Sequence, residues 1–216
     1  MSEMVKVVVD AMGGDNAPEE PVKAAVEAVK EKENIQVILT GVQDVIEAEL
    51  RKYPDYPKDR IRVVHASQVI ETAEPPVMAI QKKKDSSIVV GLNLVKKQEA
   101  DAFVSSGSTG AVLVGGQVIV GRIKGIRRPP LAPLIPTAKG VSLLIDCGAN
   151  VDARPDHLVQ FAQMGSIYME NVVGIKKPRV AIVNNGAEEE KGNALVKATF
   201  PLLKACKDIN FIGSIE

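Results

Sequence analysis

The sequence is poor in the residues from which many enzymes build reactive centres. Its 216 residues include two histidines, two cysteines, no tryptophan and only 3% aromatic residues. Two cysteines are too few for a disulfide framework, and His65 and His157 do not stand in a metal-ligand spacing such as His-x-x-x-His. No Ser-His-Asp signature or activated thiol is visible either. The sequence therefore predicts a site without a metal, a cofactor or a catalytic triad.

Excess charge and long apolar runs are also lacking. The 27 basic and 27 acidic residues give a formal net charge of zero, which argues against a nucleic-acid partner attracted by bulk positive charge. The longest apolar stretch, 111–120, is interrupted by two glycines and a glutamine and is too short to span a bilayer. The first residues lack the basic start and apolar run of a signal peptide. We therefore expect a cytoplasmic protein.

What the chain does contain is an alternation of aliphatic strands and amphipathic helices. Short β-branched runs are followed by segments with apolar residues at helical spacing, beginning with the strand 5–10 and the helix after it. This alternation predicts an α/β fold with a mostly parallel sheet and helices on both faces. We expect 141–146 to be a buried strand and 109–123 to be one long helix. The length permits a single α/β domain over 1–216.

Ligands of such sheets bind beyond the carboxyl ends of the strands, so the residues after each strand are the candidates. The first strand leads into 10–18 (Asp-Ala-Met-Gly-Gly-Asp-Asn-Ala-Pro), where Gly13 and Gly14 would let the backbone approach a ligand closely. A tight turn in which Asp15 or Asn16 caps the next helix explains the same residues. Both interpretations stay open on this motif alone.

A second loop, 105–110 (Ser-Ser-Gly-Ser-Thr-Gly), places hydroxyls and glycines before a helix, which suits an oxyanion or phosphate. It lacks the lysine of a Walker loop and the spacing of a dinucleotide fingerprint, so a nucleotide is not favoured. The candidate phosphate-binding residues are Gly13, Gly14, Ser106, Gly107, Ser108, Thr109 and Gly110.

Two further strand ends carry polar side chains. In 146–152, two aspartates and Asn150 could orient polar groups, although such residues also form turns with their own backbone. In 184–193, Lys191 stands among glycines, where it could hold an anion and polarise a carbonyl. We interpret the acidic pair 189–190 in the same loop as solvent-exposed.

A basic segment stands out in this neutral protein: Arg122, Lys124, Arg127 and Arg128. Cations at the end of a helix would explain the first two but not the pair that follows. Such a cluster could attract an acidic protein or a membrane surface.

Five motifs occur in one order along the chain, at 9–18, 106–111, 121–129, 144–152 and 184–193. In residues, order and spacing they resemble the bacterial phosphate acyltransferase family of phospholipid synthesis (the PlsX family) across essentially the whole chain. The resemblance implies a three-layer αβα Rossmann-like fold, similar to phosphate acetyltransferases and isocitrate dehydrogenases, and a homodimer. It also implies a cytoplasmic location or a peripheral one at the inner face of the membrane.

The implied reaction transfers a fatty acyl group from acyl-[acyl carrier protein] to inorganic phosphate and gives an acyl phosphate for phospholipid synthesis. The sequence departs from the family pattern at Ser108, where the usual Ser-Gly-Asn-Thr-Gly has an asparagine. Family members also continue past the position of Glu216 with a Thr-Asp-Gly-Phe-x-Gly-Asn loop. We therefore expect 1–216 to form the N-terminal two thirds of a longer family fold.

The chemistry of this reaction agrees with the scarcity of reactive side chains. Phosphate is already an anion near neutral pH, and the leaving thiol has an ordinary pKa of about 8.5, so neither needs a strong base or acid. The site must position phosphate and stabilise the tetrahedral oxyanion. We assign Lys191 as the principal cation, with Asn184 and Asn150 orienting the reactants, and the basic segment as the carrier-protein docking surface.

Three alternatives remain. The donor could be a coenzyme A thioester, or the chain could be a non-catalytic fragment that binds carrier protein. A nicotinamide dehydrogenase on the same fold is disfavoured, because no full Gly-x-Gly-x-x-Gly follows a strand.

Overall fold

The chain is divided into two compact units, Met1–Arg122 and Ile123–Glu216. The computed structural model describes residues 4–188 and 191–216. The expectation of one α/β domain over 1–216, forming part of a longer fold, stays a prediction.

The first unit is built on a four-stranded parallel sheet in the order β3-β2-β1-β4. Its strands are β1 (Val5–Asp10), β2 (Ile35–Gly41), β3 (Ile61–His65) and β4 (Ala102–Val104). Its α-helices are α1 (Glu19–Glu31), α2 (Gln43–Leu50), α3 (Pro76–Lys82), α4 (Ser87–Lys96) and α5 (Thr109–Gly115), with a 3₁₀ turn at Lys58–Arg60 and a π-helical turn at Gly116–Val120.

Alternation along the strands sends aliphatic side chains to both faces of this sheet. On one face, Leu39 packs in a cluster with Val26 of α1 and Ile46 of α2. On the other face, Val8 and Ile38 of β1 and β2 pack with the C-terminal part of α4. Helices therefore cover both sides of the sheet, which confirms the predicted three-layer α/β fold with mostly parallel strands.

Among its described residues, the second unit contains two pairs of strands and two long helices. Its elements are β5 (Leu134–Thr137), β6 (Gly140–Leu143), α6 (Pro155–Asn171), β7 (Arg179–Val183), α7 (Ala194–Ala205) and β8 (Asn210–Ile215). Strands β7 and β8 are parallel, whereas β5 and β6 form an antiparallel hairpin. The core of this unit includes Ala162 of α6, Ile182 of β7 and Phe200 of α7.

Two expected elements differ from the structure. Segment 141–146 was expected to be a buried strand, but β6 is an exposed strand that ends at Leu143. A local turn explains its pairing, because the Thr137 hydroxyl donates to the carbonyl oxygen of Gly140 and folds the chain back onto β5. The long helix expected over 109–123 changes to a π-helical turn after Gly115 and ends at Val120. The next residue, Gly121, has a φ of 101°, which cannot continue a helix.

No helix among the described residues combines the length and the apolar character needed to cross a membrane.

Candidate functional site

Two glycine-containing loops meet in the first unit. Strands β1 and β4 are parallel neighbours, so the loops that follow them leave the same edge of the sheet. A Cβ added to Gly13 would lie 2.8 Å from the backbone nitrogen of Gly107, and one added to Gly14 would lie 3.1 Å from Cβ of Ser106. The structure therefore brings the two predicted phosphate loops into contact, and a side chain at position 13 would separate them.

A buried carboxylate links these loops. Asp10, the last residue of β1, is only 2% exposed. Its Oδ1 accepts the backbone N–H of Met12 at 3.1 Å, and its Oδ2 accepts the hydroxyl of Ser105 at 2.7 Å. The Ser105 Oγ in turn accepts the N–H of Gly107 at 3.0 Å. This chain of hydrogen bonds defines the shape of the second loop.

Asp10 and Ser105 were not among the predicted site residues. Each lies at the carboxyl end of a strand and carries a polar side chain, which is a signal that the sequence does contain. Their pairing was not visible, because it joins positions 95 residues apart and requires β1 and β4 to be neighbours.

Two predicted phosphate-binding residues are already engaged within the loop. The Gly107 amide donates to Ser105 Oγ, so phosphate would have to share that donor. The buried Ser108 is the N-cap of α5, and its Oγ accepts the N–H of Ala111 at 3.3 Å. Serine and asparagine are both favoured N-caps, which gives a physical reason why Ser108 can stand where the resembled family has asparagine.

The remaining members of the set differ in access. Gly14, Ser106 and Thr109 are exposed. Gly110 is packed against α3, where an added Cβ would lie 2.5 Å from Cγ of Pro76. The groups open to an incoming anion are therefore those around Gly14, Ser106 and Thr109.

In the second unit, Asn150 belongs to a loop organised by Asp146. The Asp146 carboxylate accepts the N–H of Leu131 at 2.6 Å and the N–H of Asn150 at 2.7 Å. The side-chain Nδ2 of Asn150 donates to the carbonyl oxygen of Pro129 at 3.1 Å. In this arrangement the amide group of Asn150 holds the end of the basic segment.

Lys191 forms an ion pair within its own loop. Its Nζ lies 3.1 Å from Oε2 of Glu188, and its side chain is 48% exposed. The pKa of Glu188 is lowered, first by its own backbone N–H and then by Lys191. Gly186 permits the lysine to fold back, because a Cβ there would lie 2.4 Å from Lys191 Cδ. An anionic ligand would have to compete with Glu188 for this cation. The pair 189–190 lies outside the described residues.

Asn184 lies beside the same loop. Its Oδ1 accepts the N–H of Asn185 at 2.9 Å and is 2.7 Å from the position of a Cβ on Gly192. Its Nδ2 is buried and has no hydrogen-bond partner within the described part of the chain. A buried amide nitrogen without a partner is uncommon in folded proteins. The structure thus places Asn184 next to the residue that follows Lys191.

The four predicted docking residues all have exposed side chains: Arg122, Lys124, Arg127 and Arg128. In the second unit this segment is attached to the start of α6. The guanidinium of Arg127 pairs with the carboxylate of Asp156, and its backbone N–H donates to Gln160 Oε1 at 3.1 Å. Gln160 also donates from Nε2 to the carbonyl oxygen of Gly125 at 3.0 Å. The segment is therefore held against a helix although its charges face solvent.

His157 is buried in the first turn of α6. It is 1% exposed, and its Nδ1 accepts the backbone N–H of Arg154 at 3.3 Å, at the start of α6. Burial lowers the pKa of His157 below its ordinary value of 6.5, and the charges of Arg154, Arg128 and Arg127 lower it further. His157 is thus a core residue.

This lowered pKa predicts a loss of stability on mild acidification. The unfolded chain protonates His157 near pH 6.5, whereas the folded chain resists protonation until lower pH. The free energy of unfolding should therefore be highest above that value and fall as the pH drops toward the folded-state pKa. Urea unfolding of the wild type and of His157→Gln at several values between about pH 7.5 and about pH 5 measures this effect. The wild type should show the steeper decline.

His65 and the carboxyl groups are present in both the wild type and His157→Gln, so the difference between the two pH dependences reports on His157 alone. The pKa values of Glu74, Asp85 and Glu188 are lowered, so these groups lose their charge at more acidic pH. Parallel pH dependences for the wild type and His157→Gln would contradict the assignment.

The site residues thus form separate groups within each unit. The first unit joins Asp10, the glycine loops and Ser105, and the second joins Asn184 to the loop of Lys191. Among the residues that the structure describes, no three His, Cys, Asp or Glu side chains are grouped so that they could hold a metal ion. The assignment of all these groups to one reaction stays a prediction.

Sequence comparison shows what the chain is similar to. The family described as "Fatty acid synthesis protein" matches residues 5–216. A phosphate acyltransferase of Clostridium botulinum (strain Alaska E43 / Type E3) is 53% identical over 212 residues, which are 98% of this chain and 63% of the relative. A phosphate acyltransferase of Alkaliphilus oremlandii (strain OhILAs) is 55% identical over 214 residues, 98% of this chain and 62% of the relative. The chain thus spans less than two thirds of the length of these curated relatives.

Solved structures show the same fold at low sequence identity. A phosphotransacetylase from Streptococcus pyogenes superposes with a TM-score of 0.73 at 18% identity, covering 99% of this chain and 68% of that one. The EutD phosphotransacetylase from Staphylococcus aureus superposes with a TM-score of 0.69 at 17% identity, covering 99% of this chain and 69% of that one.

Proposed function

Because the chain belongs to the fatty acid synthesis protein family, we propose that it acts in the transfer of an acyl group to inorganic phosphate, which gives an acyl phosphate. The relatives that share about half of its residues are named phosphate acyltransferases. The observation that supports a phosphate site most directly is the contact between the loops of Gly13 and Gly107, joined by Asp10 and Ser105.

In this proposal, phosphate lies on the two glycine loops of the first unit. The proposed donors are the backbone amides of Gly13, Gly14 and 107–110. Those of Gly13 and Gly107 already bond the Asp10 carbonyl oxygen and Ser105 Oγ and would have to be shared. The hydroxyls of Ser106 and Thr109 lie on the exposed side of the same loop. Glycines allow an anion to approach the backbone closely, and adjacent amides that point the same way bind it without a cofactor.

The reaction needs few ionisable groups. A phosphate oxygen attacks the carbonyl carbon of the thioester, the carbonyl oxygen becomes an oxyanion, and the C–S bond then breaks to release a thiolate. Lys191 would stabilise the oxyanion once Glu188 is displaced, and the unpartnered Nδ2 of Asn184 would donate to it. Asn150 would act by holding the loop that it bonds at Pro129.

The donor that we propose is an acyl-[acyl carrier protein], with the product used in phospholipid synthesis. The exposed cations Lys124, Arg127 and Arg128 offer a surface for an acidic carrier protein. We further propose a homodimer that is cytoplasmic or bound peripherally to the inner face of the membrane. An acyl-coenzyme A donor and a non-catalytic carrier-protein-binding fragment are the competing functions.

Thiol release in the presence of phosphate tests the proposal. The expected result is release of free carrier protein and formation of acyl phosphate, dependent on added phosphate and faster from the carrier-protein thioester than from acyl-coenzyme A. The double variant Lys124→Glu/Arg128→Glu should raise the KM for the carrier-protein donor roughly tenfold and change the coenzyme A reaction much less, since reversed charges repel an acidic protein surface.

Lys197→Glu, on the exposed part of α7, makes the same kind of charge change away from the basic segment and is the control. Equal rates with both donors, unchanged by the double variant, would contradict a carrier-protein docking surface. Carrier-protein binding without any phosphate-dependent thiol release would favour the non-catalytic fragment.

A further inference from the structure

We propose that Asp10 and Ser105 are positioning residues that hold the phosphate loop in its binding conformation. The inference rests on the proposed function, because it concerns the same anion site. Neither side chain needs to touch phosphate. Both act through the backbone of the loop that follows β4.

The argument begins with the burial of Asp10. This carboxylate is 2% exposed, and each of its oxygens accepts one hydrogen bond, from the N–H of Met12 and from the hydroxyl of Ser105. A buried carboxylate is costly unless such donors satisfy it. Asp10 therefore binds the loop after its own strand and the loop after β4 at the same time.

The second step is that the Ser105 side chain orients the backbone of the loop after β4. Since its hydroxyl proton is donated to Asp10, its oxygen has lone pairs left to accept the Gly107 N–H at 3.0 Å. The Gly107 peptide is thereby oriented, and with it the peptides of Ser106 and Ser108 on either side. Without the hydroxyl, the Asp10 oxygen would lose a donor and the Gly107 amide would lose its acceptor.

The third step is the lack of space around the hydrogen bonds that join Asp10, Ser105 and Gly107. A Cβ on Gly13 would lie 2.5 Å from Asp10 Oδ2 and 2.9 Å from Ser105 Oγ. On the other side, the side chain of Met12 fills the space beside Gly41, where an added Cβ would lie 2.6 Å from Met12 Cγ. The first loop is therefore packed in place, and the second loop is aligned to it by hydrogen bonds.

A loop that is already held in its binding conformation loses less conformational entropy when the anion binds. When a substitution reduces the fraction of molecules with the competent loop, the apparent dissociation constant rises by the same factor. The free-energy cost of losing a hydrogen bond to a buried charge is large enough to lower that fraction about tenfold.

The test is the affinity of the 216-residue chain for inorganic phosphate, measured by isothermal titration calorimetry. Ser105→Ala should weaken phosphate binding about tenfold, and Asp10→Asn should weaken it to a similar extent, since an amide supplies one acceptor where the carboxylate supplies two. Ser105→Thr keeps the hydroxyl and should restore most of the affinity. This rescue separates positioning from a general loss of stability.

Ser67→Ala is the matched control. The Ser67 hydroxyl bonds the carboxylate of Asp85 at 2.5 Å, in the loop after β3, two strands from β1. Its removal breaks a similar serine–aspartate bond and should leave phosphate affinity unchanged. Thermal unfolding of every variant shows whether a change in affinity follows stability, and if Ser105→Ala does not fold, Asp10→Asn decides the question.

The possible results separate this inference from the proposed function. Phosphate binding by the wild type together with unchanged binding by Ser105→Ala or, where that variant does not fold, by Asp10→Asn would overturn the positioning role alone. No phosphate binding by the wild type would overturn the phosphate site itself. If phosphate binding is weakened in Ser105→Ala and is not restored in Ser105→Thr, the result would also contradict a positioning role of the hydroxyl.

Discussion

Replacing Lys191 by alanine is expected to lower the turnover number roughly a hundredfold or more, by analogy with the loss of one oxyanion donor. The ammonium group is held 3.1 Å from the carboxylate of Glu188, in a loop where Gly186 leaves room for the lysine stem. In the proposed reaction this cation leaves Glu188 as negative charge develops on the thioester carbonyl oxygen. Its loss should therefore affect the turnover number more than the KM for either substrate.

Initial rates of phosphate-dependent thiol release measure this effect. Lys197→Ala, on the exposed part of α7, removes a lysine of the same unit and should retain wild-type turnover. Near-wild-type turnover in Lys191→Ala would remove this lysine from the mechanism, and the oxyanion would then have to rely on donors such as Nδ2 of Asn184.

Replacing Gly13 by alanine is expected to separate the two glycine loops. The added methyl group would lie 2.5 Å from Oδ2 of Asp10 and 2.8 Å from the backbone nitrogen of Gly107. One of these atoms belongs to the backbone, so the conflict cannot be relieved by turning a flexible side chain. We expect a destabilisation of about 1–3 kcal/mol, as for overpacking of a filled core, and phosphate affinity reduced by at least about tenfold.

Urea unfolding and phosphate titration of the same variant measure the two effects. Gly116→Ala is the matched control, because a Cβ at that helical position would meet nothing within 4 Å. It should leave phosphate binding unchanged and should stabilise the chain by about 0.5–1 kcal/mol, the usual gain of alanine over glycine in a helix. Wild-type phosphate affinity in Gly13→Ala would mean that contact between the loops is not needed for the site.

The layered fold could be predicted from the sequence because its signals are local. Short runs of aliphatic residues specify β1 and β2, and α1 begins at Glu19 as its apolar spacing and acidic first turn indicate. The polar residues after the strands also indicated candidate ligand-binding loops, and their binding role stays a prediction. Each of these features depends on residues that are close along the chain.

Other features depend on which segments become neighbours, and no local pattern carries that information. Asp10 meets Ser105 because three crossovers bring β4 beside β1 across 95 residues. Residues 141–143 have the composition of a buried strand, yet pair with β5 in an exposed hairpin. His157 looks unremarkable in the sequence, but burial at the start of α6 near Arg127 and Arg128 lowers its pKa. Residue types and their spacing therefore determine the layers and the chemistry of the loops, whereas partners and burial are decided by packing between distant segments, because desolvation and hydrogen bonding depend on distance in space.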